Sequence, residues 1–245
     1  MSGSSIRLAT LSPVYRGGQG HFREETAWSL RLRAWLGGLA LVLFIYFGVN
    51  GFWDWKHVIS SSGGRYFVHR VEIPVPAFSQ DDPRWSLQLL GPSMETVGQV
   101  GCALTSAAMV LASYGIDTDP ERLNTFLTND GGYTPTGWLY WEKAAEYAPG
   151  RVEKAYEDLP SYRLIDNNLL AGNPVIVRLT LRNGTTHFVV IVGKQGWDYL
   201  TRDPARAPGW GVYPLKDLTS RIEALRFYRL LAPPAVSIHE VATLK

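Results

Sequence analysis

Hydrophobic residues run without a formal charge from Ala34 to Trp53 (AWLGGLALVLFIYFGVNGFW), and they cover the whole circumference of a helix drawn through them. At about 1.5 Å per residue these positions span roughly 30 Å, the thickness of one hydrocarbon core. Trp35 stands at one end and Trp53 and Trp55 at the other, where amphipathic rings favour a membrane interface. The pattern predicts a transmembrane helix over 34–55. A buried core helix would not need aromatic and charged ends. A cleaved signal peptide would have a shorter charged region and a small-x-small site after the apolar run. Arg23, Arg31 and Arg33 precede the span, against Lys56 and Arg65 after it. That excess puts residues 1–33 in the cytoplasm as a tail and the remaining chain on the extracytoplasmic side. Residues 56–65, with three Ser and two Gly, read as a flexible linker.

From 66 to 232 the pattern is that of a folded domain. Tyr66 to Val75 alternates and ends in IPVP, an edge strand. GCALTSAAMVLASYG predicts a helix from Ala103 to Tyr114 that Gly115 stops. Asp119-Pro120 reads as an N-cap and first helical residue, opening a helix to about Leu127. Further helices are expected over Trp138–Tyr147 and Tyr162–Leu170. The period then changes to that of strands in PVIVRLTL, HFVVIVGKQ and WDYLTRDP, with a tight turn at Gln195-Gly196 between the last two. A short helix over Leu215–Glu223 and a closing strand over Ala224–Leu231 complete the domain, and 233–245 reads as a tail. Helices first and an antiparallel sheet afterwards make an α+β fold.

Composition narrows the function. The formal net charge of +2 excludes a strongly basic nucleic-acid binder, so no nucleic acid is expected as a partner. One cysteine excludes an intrachain disulfide and a Cys-rich zinc site. HExxH, GxxxxGK[ST] and GxGxxG are missing, so no metal and no cofactor are expected. Nine Trp and twelve Tyr suit a membrane interface or a groove for peptides or sugars.

The single cysteine, Cys102, precedes the best helix, where free N–H groups favour a thiolate; a small core residue is the plainer reading of the same position. His187 opens an apolar strand, and Asp203 follows 16 residues later. Residues paired across a turn centred on 195/196 sum to 391, and 187 plus 203 is 390, so the hairpin brings Asp203 beside His187. There Asp203 would hold the imidazole tautomer, although Asp-Pro also simply makes turns. Gln80 and Gln99 are the candidates for an oxyanion donor, and each reads equally as a solvated loop residue. The aromatics Tyr133, Trp138, Tyr140 and Trp141 line a groove or pack a helix into the core.

At these residues the sequence resembles the papain-like cysteine peptidases related to the bacteriocin-processing, double-glycine-cutting peptidases, in their stand-alone branch. The pieces that carry the resemblance are VPAFSQDDPRW (75–85), TVGQVGCALTSAAMVLASYG (96–115), AGNPVIVRL (171–179), THFVVIVG (186–193) and YLTRDP (199–204). The resemblance implies a papain-like domain, N-terminal helices packed on an antiparallel sheet. It implies Cys102 as nucleophile, His187 as general base and acid, Asp203 orienting the histidine, and Gln80 rather than Gln99 at the oxyanion. Ala103-Leu104 departs from the Gly-Pro usual after the family's cysteine. A membrane-anchored thiol hydrolase acting on a peptide or protein at the bilayer is thereby expected. A silent papain-like domain that holds a peptide or partner in a membrane assembly is the alternative. A transglutaminase-like acyl transferase shares the same three side chains. By the same resemblance, Gly63-Gly64 is a candidate for self-processing.

Overall fold

The computed structural model describes residue 28, residues 31–46 and residues 58–231. The chain divides into two compact units, Met1–Phe52 and Trp53–Lys245. In the first, residues 31–46 form helix α1. Among the described residues no helix is long and apolar enough to cross a membrane. The rest of the span expected over 34–55, with nearly all of the tail at 1–33 and all of that at 233–245, lies outside the described residues.

The second unit follows the order β1 (Ile59–Ser60), β2 (Ser62–Glu72), α2 (Val97–Val100), α3 (Cys102–Ser113), α4 (Pro120–Asn129), α5 (Trp141–Glu146), β3 (Val152–Asp158), α6 (Tyr162–Leu170), β4 (Val175–Thr180), β5 (Thr186–Arg202), β6 (Tyr213–Pro214), β7 (Arg221–Ile222) and β8 (Ala224–Leu230). One antiparallel sheet has the order β2-β5-β4-β8-β3, with β6 added to β5, and β1 pairs separately with β7. This is an α+β fold.

Strand alternation divides the core in two. Ile176, Phe188, Val190, Val192 and Tyr228 face the cluster built on α3, α4 and α5. Val175, Val177, Leu179, Val189, Ile191, Leu225 and Phe227 face α6 through Ile165 and Leu169. Helix α3 is buried almost throughout because its small residues, Ala107 and Ala108 among them, let it lie close on the sheet. Asp119 caps α4 as its sequence predicts, its side chain accepting from Arg122 N–H at 2.9 Å.

Strand β5 is extended over 17 residues. Drawn straight, at about 3.3 Å per residue, it would hold His187 and Asp203 roughly 50 Å apart. They touch instead, and Thr201 Oγ1 donates to the Val190 carbonyl at 3.0 Å. The ribbon therefore doubles back, with Gly196 at φ +59° in the region where the turn was expected. Phe67 of β2 also pairs with Gly196, so β2 reaches the tip, with a register shift on each side of that pair.

Two expectations are corrected. Of the linker expected over 56–65, Ile59–Ser60 form β1 and residues 62–65 open β2. Leu215–Glu223 is a single 3-10 turn at Leu215–Asp217 followed by β7; its last residues meet β1 instead of continuing a helix. The strand expected over Ala224–Leu231 forms over Ala224–Leu230, inside the sheet between β4 and β3. Strand β3 (VEKAYED) went unpredicted: its four charged residues mask any alternation, as suits an edge strand.

A buried ion pair fastens β2. Lys194 Nζ, fully buried, donates to Asp166 Oδ1 at 2.7 Å and to the Gly63 carbonyl at 2.6 Å. Asp166 also accepts from Tyr199 Oη at 2.9 Å and from Arg65 N–H at 2.6 Å. Gly64 has φ +74°, and a Cβ there would lie 2.5 Å from Asp166 Oδ2. Gly63-Gly64 is thus the backbone that seats this pair. Asp166→Ala leaves Lys194 buried without its counter-charge, and we expect about 3–5 kcal/mol of destabilisation in urea unfolding.

Candidate active site

Helix α3 begins at Cys102, and the residues before it determine where that end lies. Thr96 caps α2, and Gln99 reaches back to Thr96 N–H at 3.0 Å, a reciprocal capping box. Gln99 is exposed and its Oε1 accepts from Thr96, which turns the side chain to the cap, whereas Gln80 is buried beside Asp203. Gly101 joins α2 to α3; a Cβ there would collide with the Val97 carbonyl oxygen. Cys102 is 8% exposed and is the first residue of a 12-residue helix, whose opening N–H groups have no acceptor within the helix. Its Sγ stands 3.9 Å from the Val100 carbonyl. Ser106, one turn on, bonds the Phe188 carbonyl at 3.4 Å and ties α3 to β5 beside His187.

His187 and Asp203 lie at the two ends of the doubled β5 ribbon, both buried, with His187 Nε2 2.7 Å from Asp203 Oδ1. The carboxylate is held from two further directions. Ala205 N–H donates to Oδ1 at 2.8 Å, and Tyr213 Oη donates to Oδ2 at 2.8 Å. Burial pushes Asp203 toward neutrality, but His187, Ala205 and Tyr213 outweigh it and hold its carboxyl below the usual carboxylate range. Burial likewise disfavours a charged His187. Hydrogen bonds to Asp203 and to Cys102, with their negative charge, overcome it and raise the imidazole to about 9. With Nε2 committed to Asp203, Nδ1 is the nitrogen left for the Cys102 sulfur.

Gln80 lies in a loop pinned by Trp85, whose indole N–H donates to the Ser79 carbonyl at 2.8 Å. Gln80 N–H donates to the Pro204 carbonyl at 2.8 Å, which docks the loop beside Asp203. Its side-chain amide donates to the Gly98 carbonyl at 2.8 Å, four residues before Cys102. A cavity of about 400 Å³ opens beside Cys102 and Ala103. Its walls include Trp138, Leu139, Trp141, Phe188 and Arg226. Of the four aromatics singled out in the sequence, Trp138 and Trp141 line this cavity, whereas Tyr133 is buried and bonds Asn124 at 2.7 Å. Leu104 is packed in the core, so the Ala103-Leu104 departure costs no polar group. His69 is exposed on β2, and His21, His57 and His239 lie outside the described residues.

The structure thus brings together Cys102, His187 and Asp203, with Gln80 alongside. Tyr213 was missed because a tyrosine ten residues beyond Asp203 carries no local signal until β6 folds against Leu200 and Thr201. The raised imidazole sets a pH dependence. A group whose folded pKa of about 9 exceeds its ordinary 6.5 stabilises the fold fully below 6.5 and loses that contribution as pH rises through 9. Asp203→Asn removes one of the two partners that raise it. We expect the His187 titration, followed by NMR, to move toward acid and the loss of stability between pH 6.5 and 9 to shrink.

A family model described as the Peptidase_C39 like family matches residues 72–229. No curated protein matches the chain. Among solved structures, the chain is similar to a "putative C39-like peptidase" from Bacillus anthracis, at 19% identity and a TM-score of 0.43, covering 65% of this chain and 97% of that one. With the family model spanning well over half of its residues, the chain belongs to the Peptidase_C39-like family.

Proposed function

We propose that the protein is a papain-like thiol hydrolase that cleaves a peptide or amide bond. The observation that carries this reading is His187, bonded to Asp203 at 2.7 Å on one nitrogen and facing the only cysteine with the other. Asp203 accepts from Nε2–H, which keeps Nδ1 free to take the thiol proton. The sulfur then attacks the substrate carbonyl carbon. The oxyanion meets the Cys102 backbone N–H at the start of α3 and the second N–H of the Gln80 amide, the first being held by Gly98. The imidazolium passes its proton to the leaving amine, and the C–N bond breaks to leave a thioester on Cys102. Water, deprotonated by Nδ1, attacks the thioester; the acid is released and the thiol reforms. Transfer to an added amine in place of water would mark an acyl transferase.

The apolar run at 34–53 and its flanking tryptophans support an anchor for this domain. We infer a single span over 34–55, N-terminus cytoplasmic, with the hydrolase domain and its peptide substrate on the extracytoplasmic side.

Two outcomes are expected. Hydrolysis of a casein-derived peptide mixture by the full chain falls to background in Cys102→Ala and by about 10²–10⁴-fold in His187→Ala, read by mass spectrometry of the products. In the same proteins, iodoacetamide modifies Cys102 at mildly acidic pH far more slowly once His187 is removed. Undiminished hydrolysis in Cys102→Ala overturns the hydrolase reading; ordinary thiol behaviour with no hydrolysis in any form points to a domain that binds without cutting. The full chain, expressed in a bacterial membrane, should also resist alkaline carbonate extraction, and release into the supernatant would remove the anchor.

A further inference from the structure

The cavity beside Cys102 contains a cation that the chemistry above does not use. Arg226 comes from β8 and lies on the face of the sheet that carries α3, with Ile176 and Val190 across the ladder. Its guanidinium sits 5.1 Å from the ring centres of both Trp141 and Phe188. The side chain is 12% exposed. Its Nε and Nη1 are sealed from solvent and have no hydrogen-bond partner among the described residues. Glu157 Oε1 stands 3.5 Å from Nε, too far for a good hydrogen bond, and its other oxygen is held by Lys154 at 2.9 Å. Arg178, on the neighbouring strand, adds repulsion. A buried guanidinium with orphan donors is costly, and aromatic faces offset only part of that cost.

We propose that Arg226 is a specificity-determining residue that binds a carboxylate of the peptide held beside Cys102. With Nε and Nη1 sealed, Nη2 is the nitrogen left to meet a ligand in the cavity, and a carboxylate there accepts one charge-assisted hydrogen bond and matches the single positive charge. A doubly charged phosphate would meet one arginine with Glu157 next to it, a poorer match. Glu95 and Glu157 also line the cavity; Glu95 is exposed, and the charge of Glu157 is offset by Lys154 at 2.9 Å. Discrimination therefore comes from short-range contact at Arg226, the deeper group. Trp138, Trp141 and Phe188 supply apolar walls for the rest of the residue that carries the carboxylate. Two sources have this chemistry, an Asp or Glu side chain and the free C-terminus of the peptide. The proposal rests on the cavity being the peptide cleft of the proposed hydrolase.

The test separates the two ideas by measuring binding without turnover. The full chain carrying Cys102→Ser is titrated calorimetrically with hexapeptides that differ only as Glu against Gln, position by position, and then as free acid against C-terminal amide. We expect one acid-bearing member to bind roughly tenfold or more tightly than its neutral twin. Preference for Glu identifies a side-chain carboxylate, and preference for the free acid identifies the C-terminus. Arg226→Gln on the same background should abolish the preference, and Arg226→Lys should retain a weaker one. Equal binding of acid and neutral twins at every position overturns the proposal without recourse to an arginine variant, as does an unchanged preference in a folded Arg226→Gln protein. Acid-selective binding by a chain whose wild type cuts nothing would sink the hydrolase reading and leave this one standing. Hydrolysis indifferent to acid or amide would do the reverse.

Discussion

The buried contact between His187 and Asp203 is the constraint around which the domain is arranged. An imidazole and a carboxylate 2.7 Å apart in the interior satisfy one another only if the chain returns to the same place after 16 residues. The doubling of β5 at Gly196 accomplishes that, and the rest of the sheet holds the doubled ribbon in position. Ala205 and Tyr213 then meet the remaining lone pairs of Asp203, so the carboxylate stays ionised in spite of its burial. Sections of chain far apart in sequence are thereby tied to one point: the loop at Gln80 through Pro204, α3 through Ser106 and Phe188, and β6 through Tyr213.

The same arrangement separates rigidity from chemistry. The Lys194–Asp166 pair lies under α6 and fixes β2 through Gly63 and Gly64. The group that titrates, His187, bonds Asp203 and stands beside Cys102 at the start of α3, where it shares no partner with that pair. A lysine fully buried with a carboxylate, a tyrosine and a backbone carbonyl is satisfied and inert. Arg226, by contrast, lines a cavity while its Nε and Nη1 have no hydrogen-bond partner among the described residues. Buried charges of similar cost thus differ in meaning according to whether their partners are already present.

Much of the site was legible because its signals are local. Asp119-Pro120 and Tyr162–Leu170 give helices from capping and periodicity alone. The turn at Gln195-Gly196 makes the pairing of 187 with 203 a matter of counting. What escaped depends on tertiary contact. Tyr213 and Arg226 acquire roles only when β6 and β8 are in place. Residues 62–65 have the composition of a linker, yet open a strand whose backbone Lys194 and Asp166 hold at Gly63 and Arg65. Strand β3 hides behind the charges that suit an edge, and residues 215–223 look helical until Arg221 and Ile222 find β1.

The central claim is that Cys102 forms a covalent intermediate with its substrate through the proton chain to His187 and Asp203. Acid-quenching a reaction of the full chain with a cleaved peptide, followed by intact-mass and fragment analysis, reads this directly. The account predicts an acyl adduct on Cys102 corresponding to the N-terminal fragment, present in the wild type and missing in His187→Ala. Turnover of the same peptide with no adduct, or an adduct carried on any other residue, would contradict it.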